Sequence, residues 1–162
     1  MPANMVTDQR IAKEAGAFYE VGKNCYNEIC RMEINQDNAY LIMPCAMNLT
    51  FSAELFLKAC IEKGTRGHKL AELFDLVSES EKDAIVQITI KKYIAETKQQ
   101  LFEEEFWERL NAMQDAFVEW RYFYEQKHSL HLEIAFLLAF VSTLHFICEA
   151  VMENAKRRQK AE

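Results

Sequence analysis

YLIMPCAMNLTFSAELFLKACIEKG, Tyr40 to Gly64, is apolar on nearly every face of a helix rather than along one stripe. A helix of that kind is stable only when neighbours cover it on several sides, so the stretch predicts a central helix within an all-helical fold. Pro44 suits its first turn, where a missing N–H costs nothing, and Gly64 suits its C-terminal cap. The remaining segments must then supply the amphipathic faces that wrap it.

On the N-terminal side, Ile11, Ala15, Phe18, Gly22, Tyr26 and Ile29 recur at steps of three and four, which places one buried stripe on a helix from about Asp8 to Met32. INQDN, residues 34–38, is the turn between the two helices. On the C-terminal side, Leu70, Leu73, Phe74 and Val77 form the inner face of a short helix. Ser78 followed by Glu81 resembles a capping box, opening a further helix over about Glu79 to Thr97. Within it IVQITI has strand-like composition, but its charged flanks and the lack of a partner strand favour helix.

Phe102, Phe106, Leu110, Met113, Phe117, Trp120 and Tyr124, spaced 4, 4, 3, 4, 3 and 4, predict a long helix with an aromatic buried stripe. EQKHS, residues 125–129, interrupts that pattern before a last helix from about Leu130. The expected architecture is all-α, an antiparallel up-down bundle of four long helices plus a short inserted helix, forming a single domain over residues 1–162. Composition agrees, with 50% hydrophobic residues and only four Gly and two Pro, too few turn residues for a many-stranded β fold.

Several function classes are disfavoured. A net charge of −6 argues against an extended nucleic-acid footprint, which depends on many neutralised phosphates, although local basic patches occur at EKGTRGHK (62–69) and AKRRQK (155–160). The second patch reads as a solvated helix end whose cations complement the helix dipole. The five cysteines are scattered without a C-x-x-C pair and read as reduced core thiols of a cytoplasmic protein. No apolar secretory stretch follows the N-terminus. The uncharged run Ile134 to Cys148 is bracketed by Glu133 and Glu149 and is shorter than the roughly 20 residues of a spanning helix, so it is expected to be a core helix and no membrane partner is expected.

Among motifs that carry chemistry, Glu125 and His128 form one E-x-x-H, with His131 three residues on. A di-metal carboxylate bundle needs two such motifs and two more glutamates, so no metal or other cofactor is expected. His145 and Cys148, one turn apart in the most apolar segment, read as a core histidine beside a buried thiol. His68 reads as a residue that orients the turn after the central helix, with contact to a ligand as the alternative. There is no Gly-rich phosphate loop and no G-x-S-x-G.

NLTFSAELFLKACIEKGTRGHKLAELFDLVSE resembles the second helix and following turn of HEPN domains, through Glu54 and Lys58 in SAELFLKA and Gly67, His68, Leu70 and Leu73 in GHKLAELF. AFVEWRYFYE, with Arg121, Tyr122, Tyr124 and Glu125, resembles a recurring segment of the same proteins. The resemblance implies a helical bundle that commonly dimerises. It also implies a protein that acts on RNA or binds nucleotides, in many members as a metal-independent endoribonuclease of toxin or defence type, whose site is an arginine and a histidine separated by four to six residues. Arg121, the six residues YFYEQK and His128 meet that spacing.

The residue types suit the chemistry. Metal-free RNA cleavage needs a base for the 2′-hydroxyl proton, and histidine titrates near neutrality, which gives His128 that role. It also needs a fixed cation for the charge gathering on the phosphoryl oxygens, and Arg121 offers a permanently protonated fork. Tyr124 and Lys127 are candidate substrate contacts. In one unbroken helix Arg121 and His128 would lie about 10 Å apart along the axis, so they meet at one phosphate by reaching toward each other, by a break at EQKHS, or by pairing with a second copy across a dimer axis, the last being what the resemblance implies. Arg121 is equally placed to pair with Glu125 one turn on while its aromatic neighbours fill the core. Tyr122 stands where the family often has a polar residue. It favours the alternative of a catalytically silent dimeric module that binds a protein partner such as a nucleotidyltransferase-type antitoxin.

Overall fold

Residues on every side of the helix over Ile42–Cys60 are buried, among them Cys45, Leu49, Ser52, Ala53, Phe56 and Leu57. The computed structural model describes residues 8–31, 39–61, 65–113 and 133–160. Among the described residues all regular structure is helical: α1 (Gln9–Arg31), a short 3-10 turn (Ala39–Leu41) leading into α2 (Ile42–Cys60), α3 (Leu70–Asp75), α4 (Glu79–Thr97), α5 (Glu103–Ala112) and α6 (Ile134–Gln159). The protein is therefore all-α, and α1, α2, α4 and α6 are its long helices among the described residues. The central helix read from the sequence is α2, with α1, α3 and α6 all packed on it.

α1 starts at Asp8, whose Oδ1 accepts hydrogen bonds from the backbone N–H groups of Arg10 (3.0 Å) and Ile11 (3.2 Å), a side-chain N-cap. Its buried stripe is Ala12, Ala15, Tyr19 and Gly22, whereas Ile11, Phe18, Tyr26 and Ile29 of the expected stripe are only partly buried, and the small Ala12, Ala15 and Gly22 let the helix approach α2 closely. Across that contact Ser52 Oγ donates to the Ala15 carbonyl at 2.7 Å, and Cys45 Sγ donates to the Gly22 carbonyl at 3.4 Å. A Cβ at Gly22 would stand 2.7 Å from Leu49 Cγ and 3.1 Å from the Leu49 backbone nitrogen. Gly22→Ala is therefore expected to destabilise the protein by about 1–3 kcal/mol, because overpacking outweighs alanine's better helix propensity. Urea unfolding measures it, and an unchanged or raised midpoint would show that the two helices are not held this close.

Phe136, Leu137, Phe140, Val141, Leu144 and Cys148 of α6 are buried, and α1, α2 and α4 all pack on this helix. α6 is long and apolar enough to cross a membrane by length and composition, and 56% of its apolar window is covered by the rest of the protein. That extent of cover fits its reading as a core helix. It closes on Lys156, Arg157 and Arg158, cations at the negative end of the helix dipole.

α3 presents Leu70, Leu73 and Phe74 to the core, with Val77 buried just beyond it. IVQITI lies inside α4, and the inner face of that helix also takes Lys82 and Thr89. Those polar residues on a buried face are why its apolar pattern blurs.

Three local expectations are corrected. α2 ends at Cys60, with Ile61 as an extended C-cap (φ −107°, ψ 177°), so its cap is not Gly64, which lies outside the described residues. Ser78 occupies the N-cap of α4 as expected, but its side chain makes no capping hydrogen bond and sits 3.5 Å from Ser80 Oγ. The aromatic stripe starts at Phe106 rather than Phe102, which precedes α5 in extended conformation and is 64% exposed. Leu101, 3% exposed, takes the core position in its place. The Glu105 carboxylate accepts the Phe102 N–H at 2.8 Å, half of a capping box that fixes the start of α5. α5 ends at Ala112 with Met113 as its C-cap, so it is not one unbroken long helix as expected, and the stripe's later members, Phe117, Trp120 and Tyr124, lie outside the described residues.

At the α3, α5 and α6 junction Phe106 meets Phe74 (5.9 Å between ring centroids), Trp107 (5.4 Å), Phe136 (5.4 Å) and Phe140 (6.0 Å), mostly edge to face. This is the favoured geometry for aromatic quadrupoles, and it anchors the short α5 to the long α6.

Candidate functional site

The two halves of the GHKLAELF-linked motif are one bonded unit. Glu54 of α2 is 2% exposed, and its Oε1 accepts a hydrogen bond from Lys58 Nζ at 2.7 Å, one turn along the helix. The same oxygen lies 2.9 Å from His68 Nδ1, on the loop ahead of α3. Gly67 brings that loop round with φ +122°, a conformation that side-chain-bearing residues rarely adopt. The buried carboxylate is thus compensated by an ammonium and an imidazole, and the pairing ties α3 to α2. His68 orients the turn, as read from the sequence. Nδ1 is bonded to Glu54 while the side chain stays 60% exposed.

A second cluster brackets the predicted catalytic stretch. Arg109 of α5 and Glu133, the residue before α6, form an ion pair with Nη1 2.5 Å from Oε1. Tyr93 of α4 donates its phenolic hydroxyl to the same carboxylate. The Arg109 guanidinium stacks over the Tyr93 ring at 4.9 Å. Burial opposes the charge on Arg109, but the Tyr93 hydrogen bond and the Glu133 carboxylate outweigh it, and its pKa is raised. Arg121, Tyr124, Lys127 and His128 all fall within residues 114–132, outside the described residues. What the structure supplies is their frame: the end of α5 and the start of α6 are joined by one charged, hydrogen-bonded clamp.

No family model, curated protein or solved structure matches this chain.

Other candidate reactive groups have packing roles. His145 lies with its ring 4.7 Å from Tyr19 and 5.6 Å from Phe56, and Nε2 sits 3.3 Å from Glu149 Oε1. This is the core histidine expected, although Cys148 pairs with Cys60 instead, Sγ to Sγ 3.6 Å. That contact, together with burial, pushes the Cys60 thiol well up, and burial pushes Cys45 up to about 12. A thiol held protonated is a poor nucleophile. In the folded protein Cys30, which is exposed, is expected to react first with an aromatic disulfide reagent at pH 8, while Cys45, Cys60 and Cys148 react only in urea. Modification of Cys60 in the folded protein at the Cys30 rate would contradict this burial. Among the described residues no group of three or more His, Cys, Asp or Glu is placed to hold a metal ion.

The Arg109–Tyr93–Glu133 clamp was missed in the sequence, although a signal for it exists. Arg109 directly precedes the core residue Leu110, and Glu133 opens the most apolar segment.

Proposed function

We propose that this chain is a HEPN-like, cytoplasmic, dimeric helical protein that acts on RNA as a metal-independent endoribonuclease. The observation that carries the reading is the Glu54–Lys58–His68 cluster, in which motif halves 14 residues apart work as one structural unit. Residues that carry a family resemblance for a physical reason are expected to meet in space, and these do. The finer architecture proposed with it is an antiparallel up-down bundle of α1, α2, α4 and α6, with α3 inserted, as one domain.

In the proposed reaction His128 accepts the proton of the ribose 2′-hydroxyl, and the 2′-oxygen closes on phosphorus. The 5′-oxygen departs, taking a proton from solvent, and a 2′,3′-cyclic phosphate remains on the upstream fragment. Arg121 neutralises the charge that builds on the non-bridging oxygens, and Tyr124 and Lys127 hold the flanking nucleotide. Arg121 of one subunit and His128 of the other meet across the two-fold axis, because one continuous helix would keep a single chain's pair about 10 Å apart.

A second reading is favoured by Tyr122, which puts a phenol where a polar residue often follows the arginine. It makes the chain a silent dimeric module that binds a nucleotidyltransferase-type antitoxin. Incubating structured and unstructured RNAs with the protein in EDTA separates the two. Fragments ending in 2′,3′-cyclic phosphate support the nuclease, and intact RNA across all substrates moves the assignment to the silent module.

A further inference from the structure

Between α1 and α4, on the surface of α6, lies a groove of about 460 Å³, within the size range of small-molecule sites. Its floor is made of small side chains, Ala135, Ala139 and Ser142 of α6, which leave open the space that larger residues would fill. Two lysines line it from opposite walls, Lys23 on α1 and Lys92 on α4.

Lys92 is held rather than free. Its ammonium donates to the Ser142 carbonyl at 2.8 Å and to Ser142 Oγ at 2.7 Å, and it lies 5.4 Å from the Phe146 ring. All three partners are neutral, and among the described residues Lys92 has no ion pair. Lys23 lies over the Tyr19 ring at 5.4 Å, and its contact with Glu20, at 3.9 Å between exposed side chains, neutralises it little. Both lysines line the one groove, and burial lowers the pKa of Lys92, with the charge of Lys23 lowering it further. Glu96 is the acidic residue on the lining, leaving an excess of positive charge. Tyr19 and Leu138 add an apolar wall beside the cations.

We infer that this groove binds a small phosphate monoester with a flat apolar body, the dianion held between Lys23 and Lys92 and the body lying against Tyr19 and Leu138. Two cations match the two charges of a phosphate monoester better than the single charge of a carboxylate. The part-buried Lys92 ammonium, which has no ion pair among the described residues, is stabilised by the anion it binds. The inference stands apart from RNA cleavage, since no residue of the groove belongs to the proposed catalytic set.

Titration of the full-length protein with phenyl phosphate, inorganic phosphate and benzoate, followed by calorimetry and by NMR of the lysine side chains, tests it. Saturable one-site binding of phenyl phosphate is expected, tighter than either inorganic phosphate or benzoate, with the Lys92 side-chain signal shifting. Lys92→Met and Lys23→Met should each weaken it roughly tenfold or more, the loss of one charge-assisted hydrogen bond, and Glu96→Gln should tighten it. Thermal melts check that each variant is folded. Absence of saturable binding to the wild type, or wild-type affinity in both folded lysine variants, would overturn the site. Equal affinity for phenyl and inorganic phosphate would overturn the flat apolar body.

Discussion

His128→Ala is expected to lower the rate of RNA cleavage in EDTA by about 10²- to 10⁴-fold, the usual contribution of a positioned general base. Arg121→Ala is expected to fall by a comparable factor, because it removes the cation that meets charge developing only in the transition state. Arg121→Lys keeps the charge but not the two-pronged geometry, so it should recover only part of the rate. A base must be unprotonated to act. Cleavage should therefore be lost as pH falls through the histidine range, around 6.5 for an ordinary imidazole, and His128→Ala should remove that limb of the profile. Both alanine variants should melt with the wild type, which separates lost chemistry from lost fold. Undiminished cleavage in either variant would remove that residue from the mechanism.

Phe106→Ala carries the largest expected cost in stability, about 3–5 kcal/mol, the range for truncating a buried aromatic. Phe106 is fully buried and touches Phe74, Trp107, Phe136 and Phe140, so its loss opens a cavity where α3, α5 and α6 meet. Phe102→Ala is the matched control. Four residues earlier on the same apparent stripe, Phe102 is 64% exposed, and its removal should change stability by no more than about 0.5 kcal/mol. Equal costs for the two would contradict the start of α5 and restore the longer stripe read from the sequence. Phe106→Ala should also slow cleavage, because Arg109 rides on the same short helix and its pair with Glu133 depends on that helix staying docked.

The contrast between those two phenylalanines shows what a sequence can carry. Periodicity identified α1 and α3 because a buried stripe must repeat every three or four residues. It could not show that the chain at Phe102 is still extended, because Leu101 competes for the same core position and only packing decides between them. α2 was legible for the opposite reason, since a segment apolar on all faces has no stable place except the centre. The bond between Glu54 and His68 was partly legible, because both lie in one local motif and Gly67 marks the turn between them. Arg109 and Glu133, 24 residues apart, were not, because their meeting depends on how α5 and α6 cross. The groove was least legible of all, because it is formed by the smallness of Ala135 and Ala139, and an alanine in an apolar helix gives no sign of whether a neighbour fills the space above it.

Mixing Arg121→Ala and His128→Ala chains, after dissociation and reassembly, is the most direct test of the central claim that these two residues meet at one phosphate across a two-fold axis. Each variant alone is expected to be slowed about 10²- to 10⁴-fold. Random reassortment makes about half of the dimers mixed, each with one intact site of two, so recovery of about a quarter of the wild-type rate is expected. A mixture as inactive as its components would contradict the shared site.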